Sequence, residues 1–219
     1  IGPGMGALTK ILNKESVHIT AIDIDRDNIA HLEKSFHGPA EYNFIQSDIL
    51  RSDFAFLNSN DHRIVGNLPY NISTQIIIKL INYFTQIKDM HFLIQREVAE
   101  KITGSPGSKD WGKLGIKLSA FFQTEILFDV PPEAFDIKPK VTSSFIRMSP
   151  LVKSLVNDDE IKNFFEVVDL SFMTRRKNIK NNLKSKDLNW DSLQINNQLR
   201  PEDLTLESYL KITREIAKI

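Results

Sequence analysis

The chain is expected to be an α/β protein: a doubly wound sheet over residues 1–149, followed by a small all-α domain over residues 150–219. Short apolar runs suited to buried strands alternate with stretches of helical periodicity as far as Met148. The early strand candidates end in residues able to meet a ligand, namely Asp23, Asp48 and Asn67, and a glycine turn precedes them. In open α/β sheets ligands bind at the carboxyl ends of the strands. Ser149-Pro150 then marks a change of composition, and no strand pattern follows it.

Composition narrows the classes. With 219 residues, 41% of them hydrophobic, the chain can bury one substantial core and a smaller second one. It has no Cys, which excludes a disulfide framework and a thiolate zinc site and suits a reducing cytoplasm. No apolar run is long enough to span a bilayer, and the five His lack metal-ligand spacing, so neither a membrane nor a metal is expected. A formal net charge of +0 means that nucleic-acid binding would need a local basic cluster.

In order, Ile1-Gly2-Pro3-Gly4-Met5-Gly6 is a glycine turn feeding a helix that begins near Ala7. Its Gly-x-Gly-x-Gly spacing differs from the dinucleotide fingerprint, but Gly2 and Gly4 allow close backbone approach to a ligand. Val17–Ile22 reads as a strand ending in Asp23, an acid suited to accept from both ribose hydroxyls of a nucleoside. Asp25 suits the cap of a helix from Arg26 that carries Ile29, Leu32 and Phe36 on one face. Tyr42–Gln46 is the next strand, and Asp48 after it suits an adenine amino group.

Arg63–Tyr70 joins a buried strand, Ile64 and Val65, to a chemically loaded turn. Gly66 is expected to let the backbone turn sharply there. Pro69 fixes its own φ and keeps Leu68 extended, so the Asn67 amide and the Leu68 carbonyl can converge as two acceptors for an exocyclic amine. Tyr70 offers a face on which a base can stack. Ser73 and Thr74 are expected to cap a helix whose Ile76, Ile77, Leu80, Ile81 and Phe84 face the sheet.

Met90–Gln95 reads as a strand and Glu97–Ile102 as a short helix. The Gly/Ser/Pro-rich stretch 104–112 is expected to be a mobile loop beside the substrate cleft. A helix over Lys113–Phe122 precedes strands at Thr124–Val130 and Ser143–Met148. Between the strands, a proline-stiffened loop presents Phe135 with Lys138 and Lys140, which suits an unstacked base and its phosphates as well as it suits a plain connector. In the helical tail, Thr174–Lys184 is the one dense basic run, with Arg175, Arg176 and Lys177 at its head as phosphate contacts. Thr205 suits the cap of the last helix.

The chain resembles the bacterial ribosomal RNA adenine dimethyltransferases, the small-subunit methyltransferase A family. The resemblance covers nearly every residue. It rests on Ile1–Thr9, on Gly66-Asn67-Leu68-Pro69-Tyr70-Asn71-Ile72-Ser73, on Gln95–Lys101, on Pro106–Lys109, on Val130-Pro131-Pro132 through Ser143, and on Arg175-Arg176-Lys177. It implies a Rossmann-like class I methyltransferase sheet and S-adenosylmethionine as cofactor, bound by Gly2, Asp23, Asp48 and Asn67. The implied reaction is dimethylation of two adjacent adenosines near the 3′ end of 16S RNA. The expected partner is that RNA in the assembling 30S particle, met by a monomer. Departures are Asp23 where Glu is usual, Ile137 for Pro, Trp111 for Tyr and Gly115 for Ser.

Three rivals stand beside this reading: a protein glutamine methyltransferase, a resistance-type methyltransferase of large-subunit RNA, and a non-catalytic ribosome assembly factor. The first usually carries Pro where Leu68 stands, and intact Asp23, Asp48 and Asn67 argue against the last. Because Ile1-Gly2 already belongs to the turn after a first strand, the chain is expected to be a fragment whose upstream residues supply that strand and a segment closing over the cofactor.

Overall fold

The structure, a computed structural model, describes residues 1–14, 18–38, 40–174 and 176–218. By its internal contacts the chain divides into two units, one of Ile1–Gln95 with Leu127–Arg147, the other of Arg96–Ile126 with Met148–Ile219. Residues 96–126 thus group with the helical tail, in contrast to the boundary at 149 that composition suggests.

In the first unit, α1 (Ala7–Leu12), β1 (His18–Asp23), α2 (Arg26–Ser35) and β2 (Glu41–Gln46) follow the glycine turn. Next come β3 (His62–Asn67), α3 (Ser73–Leu80), a 310 segment (Ile81–Gln86) and β4 (Ile87–Gln95). Strands β1 and β2 pair in parallel with Asp23 opposite Gln46, and β3 and β4 pair in parallel with Asn67 opposite Leu93. With β5 (Phe122–Val130) and β6 (Ser143–Pro150), the larger sheet runs β3-β4-β6-β5. Ile1 and Gly2 lie between the sheets, the Ile1 nitrogen donating to Val65 O at 2.8 Å and Gly2 N to Ile22 O at 2.9 Å.

Helical periodicity does its work on α2, where Ile29 and Leu32 pack with Ala21 of β1, flanked by Phe36 and Phe44. Asp25 caps this helix, accepting from Asp27 N at 2.8 Å. On α3, Ile76, Ile77 and Leu80 are buried, as is Ile81 beyond its end, each contributing about 1.5–3 kcal/mol by leaving water. Four local expectations change. The N-cap of α3 is Ile72 without a side-chain bond, and Ser73 Oγ donates instead to Tyr70 O at 3.3 Å. Phe84 lies past α3, in the 310 segment. The helix expected over Lys113–Phe122 ends sooner, as α5 (Lys113–Ser119), and Phe122 opens β5. Gly66 stays inside the strand; a Cβ there would lie 2.8 Å from Ile1 O and 3.0 Å from Leu68 Cδ2, so close approach, not turning, requires glycine.

The second unit holds α4 (Arg96–Thr103), α5, α6 (Ile161–Ser171), α7 (Ile179–Asn182), α8 (Trp190–Leu193) and α9 (Leu206–Ile216). Helix α6 packs on α5 and α9, and Thr205 caps α9 by accepting from Ser208 N. Segment 104–112 is anchored, in contrast to the expected mobile loop: Gly107 N donates to Glu202 O at 2.9 Å, and buried Trp111 donates through Nε1 to Leu204 O at 2.8 Å. Composition marks the turn, but long-range bonds hold it.

Candidate active site

The parallel register of β1 and β2 brings two of the predicted acids to one sheet edge. Ser47 N donates to Asp23 O at 2.9 Å, which sets Asp48 beside the end of β1. The preceding turn has Gly2 and Gly4 at φ of 60° and 54°, a region that disfavours side chains. A Cβ on Gly4 would meet nothing within 4 Å, so open space faces that backbone. On Gly2 it would come to 3.8 Å of Asn67 O, which brings the end of β3 to the same turn.

Asp23 is half-buried and its carboxylate fastens the turn. Its Oδ2 accepts from Gly4 N at 3.1 Å and Asn28 Nδ2 at 3.2 Å, and its Oδ1 from Asp25 N at 3.0 Å. A carboxylate has about four acceptor positions, so roughly one is left for a nucleoside hydroxyl, and taking both ribose hydroxyls requires Asn28 to yield. Asp48 uses Oδ1 on Leu50 N at 2.9 Å, and Oδ2 faces Arg51 at 3.6 Å with room for a further donor. Open backbone at Gly4 beside the Asp23 carboxylate, with Asp48 following the neighbouring strand end, fits a nucleoside cofactor.

The turn after β3 is anchored on the sheet, Leu68 N donating to Leu93 O at 3.1 Å while the Leu68 side chain is buried. Asn67 and Pro69 are exposed. Among the described residues, no internal hydrogen bond engages the Asn67 side chain or the Leu68 carbonyl. The Tyr70 hydroxyl is hydrogen-bonded to Ser143 Oγ. Asn67, Leu68, Pro69, Tyr70, Phe135, Ile137 and Pro139 line one cavity of about 270 Å³. That lies just below the usual range for small-molecule sites, about 300–1,000 Å³, and suits one base better than a whole nucleotide.

Lys138 and Lys140 are exposed on the same loop as Phe135, and neither lines the cavity. In the second unit Arg176 and Lys177 are exposed, whereas Arg175 lies outside the described residues. Their turn is fastened by Asn182, whose Oδ1 accepts from Thr174 N at 3.1 Å and whose Nδ2 donates to the Thr174 and Lys177 carbonyls.

A family model described as ribosomal RNA adenine dimethylase matches residues 1–218. The chain belongs to this family. It is 40% identical to the ribosomal RNA small subunit methyltransferase A of Dechloromonas aromatica, over 99% of this chain and 85% of that one. Identity to the protein of the same name in Neisseria gonorrhoeae is 39%, over 99% of this chain and 84% of that one. Among solved structures, a dimethyladenosine transferase from Plasmodium falciparum superposes with a TM-score of 0.82 at 23% identity, over 99% of this chain and 88% of that one. The 23S rRNA methyltransferase ErmE does so with a TM-score of 0.71 at 22% identity, over 99% of this chain and 88% of that one. The fold is thus the expected α/β Rossmann-like methyltransferase sheet with a helical C-terminal region.

In this ribosomal RNA adenine dimethylase, the sequence motifs leave out three residues that the structure bonds to candidate residues: in the first unit Asn28 to Asp23 and Ser143 to Tyr70, and in the second unit Asn182 to the Lys177 carbonyl. Asn28 could have been found, since it lies one helical turn from the N-cap Asp25 of α2. Ser143 is 73 residues from its partner, and no local pattern signals it.

Proposed function

We propose that this chain dimethylates the N6 amine of two adjacent adenosines near the 3′ end of small-subunit ribosomal RNA, in the cytoplasm and on the assembling 30S particle. The observation carrying this is the base-sized cavity lined by Asn67 and Leu68, whose acceptors Asn67 Oδ1 and Leu68 O take no hydrogen bond among the described residues, and by two aromatic residues, Tyr70 and Phe135. The adenine amine is a poor nucleophile because its lone pair is delocalised into the ring. Asn67 and Leu68, by accepting its two hydrogens, hold the nitrogen so that the lone pair turns out of conjugation. The Tyr70 and Phe135 faces hold the extruded base in plane. Gly2, Gly4, Asp23 and Asp48 would hold S-adenosylmethionine, with Asn67 at the border of the two sites. When bound, that cofactor would supply a sulfonium methyl as electrophile, with a neutral thioether as the leaving group.

The amine loses one proton per transfer. Among the described residues lining the cavity Tyr70 is the one titratable side chain, and its hydroxyl is engaged by Ser143, so the proton passes to solvent. After the first transfer one N-H remains to be gripped, and after the second none, which favours release. Lys138, Lys140, Arg175, Arg176 and Lys177 serve as phosphate contacts. The test is transfer of labelled methyl from S-adenosylmethionine to unmethylated small subunits, followed by nucleoside analysis. Label in N6,N6-dimethyladenosine at adjacent positions is expected. Label confined to large subunits would support the resistance-type reading instead, and no transfer to either would leave an assembly factor.

A further inference from the structure

We propose that Ser143 is a positioning residue for the Tyr70 ring, and that it matters most for the second methyl transfer. The inference rests on the reading of the Asn67–Tyr70 cavity as the adenine site. Ser143 opens β6, is 0% exposed, and has the Tyr70 hydroxyl as its side-chain hydrogen-bond partner. Its neighbour Ser144, also 0% exposed, donates to Asp129 Oδ1 at 2.6 Å. Successive strand side chains point to opposite faces, so Ser144 braces β5 while Ser143 is left to the ring. Ser144 is therefore an internal comparison: equally buried and hydroxylated, but bonded to Asp129 and not to Tyr70.

A tyrosine ring turns about two torsions, and the second is broad. Tyr70 is only half-buried and follows an exposed proline, so packing alone leaves its plane loosely defined. A hydrogen bond at the far end of the ring, to a buried side chain on another strand, fixes both torsions. It also occupies the phenol, so the ring meets a base through its face alone.

The two transfers rely on this face unequally. In the first, the base is oriented by two N-H bonds, to Asn67 and Leu68, and by the ring. In the second, one N-H is left, and the plane set by Tyr70 carries a larger share of the alignment. Loss of the tether therefore slows the second transfer more than the first, and the monomethylated base accumulates.

The experiment compares wild type, Ser143→Ala, Tyr70→Phe, the double variant, Ser143→Thr and Ser144→Ala, each as the full chain. Unmethylated small subunits and S-adenosylmethionine are the substrates, and monomethyl- and dimethyladenosine are followed in time. Thermal midpoint and cofactor affinity are measured alongside. Ser143→Ala and Tyr70→Phe should each slow the second transfer about fivefold to tenfold, the effect of removing one hydrogen bond, and the first transfer less. The double variant should be no worse than either single one. Ser143→Thr, which keeps the hydroxyl, should restore the product ratio; Ser144→Ala should leave it unchanged, and cofactor affinity should hold throughout. A wild-type ratio of mono- to dimethyl product in both single variants, or additive defects in the double, would overturn the proposal. If Ser143→Ala does not fold, Tyr70→Phe, which removes one oxygen from a half-buried ring, carries the same test. A well-folded wild type that methylates no adenosine would instead overturn the adenine-site reading, and this inference with it.

Discussion

Replacing Asn67 by Ala separates chemistry from folding with unusual clarity. The residue is exposed at the end of β3, and no internal hydrogen bond engages its side chain among the described residues. Truncation therefore orphans nothing within the chain, and stability should stay within about 0.5 kcal/mol of wild type. At the reacting centre it deletes one of the two acceptors proposed for the amine. Deleting one preorganised hydrogen-bonding group typically costs 10²–10³ in rate, or about 2.7–4 kcal/mol. The second acceptor survives, because the Leu68 backbone is held to Leu93 and its side chain is buried, so residual turnover is expected. The assay is single-turnover transfer of labelled methyl to small subunits at saturating cofactor, with thermal unfolding beside it. A variant that folds normally and transfers within about fivefold of the wild-type rate would refute the two-acceptor mechanism.

Asp23→Ala should weaken S-adenosylmethionine binding by roughly tenfold to a hundredfold, since Gly4 N, Asp25 N and Asn28 Nδ2 lose their acceptor together with any ribose hydrogen bond; equilibrium dialysis measures it. Reversing charge at Arg176 and Lys177 should flatten the salt dependence of RNA binding by about one log unit for each phosphate no longer neutralised, while cofactor affinity holds. Salt titrations of binding would show an unchanged slope if the turn is an ordinary solvated face. Glu160 supplies a pH prediction. The Asn157 amide first, and the Arg214 guanidinium next among the attractive groups, hold its carboxyl below the ordinary value of 4.5. Its contribution is present above that value and is lost as pH falls through the depressed folded value. Glu160→Gln should therefore lower the melting temperature at neutral pH, with the difference from wild type shrinking as pH falls below the ordinary carboxyl value of 4.5.

Elements with a strong period were legible in the sequence. The face of α2 with Ile29 and Leu32, the buried row Ile76, Ile77, Leu80 on α3, and the caps Asp25 and Thr205 follow from local spacing, and the structure has them. Local rules misled where a tertiary contact outweighed them. Ser73 looks like a helix cap, yet its hydroxyl goes to Tyr70 O and secures the turn before the helix. Gly66 looks like a turn residue, yet what forbids a side chain is the carbonyl of Ile1, far off in sequence. The glycine-rich stretch 104–112 looks mobile because composition says nothing of the carbonyls of Glu202 and Leu204 that receive it. At the candidate site, Asn67–Tyr70 and Phe135 were legible through their motifs, whereas Ile137 and Pro139, which also line the cavity, were not, and Lys138 and Lys140 do not line it. Of the supporting residues, Asn28 was within reach of local reasoning from its place in the first turn of α2, whereas Ser143, bonded to Tyr70, and Asn182, bonded within the second unit, were not, since a supporting hydrogen bond leaves no periodic trace in its own neighbourhood.

Asp23 carries a constraint of an evolutionary kind. One carboxylate both shapes the glycine turn, through Gly4, and faces the space in which a nucleoside would lie. A substitution there is judged twice, once by the backbone it holds and once by the ligand it meets, and no single replacement suits both judges easily. Asn28 adds a third party, because a longer acid reaching further toward a sugar would give up its present grip on that amide. Positions 23 and 28 should therefore drift together across relatives, with Glu at the first accompanied by a different partner at the second. Aligning relatives that carry Asp against those that carry Glu, and asking what stands at position 28 in each set, would expose that coupling without a single purified protein.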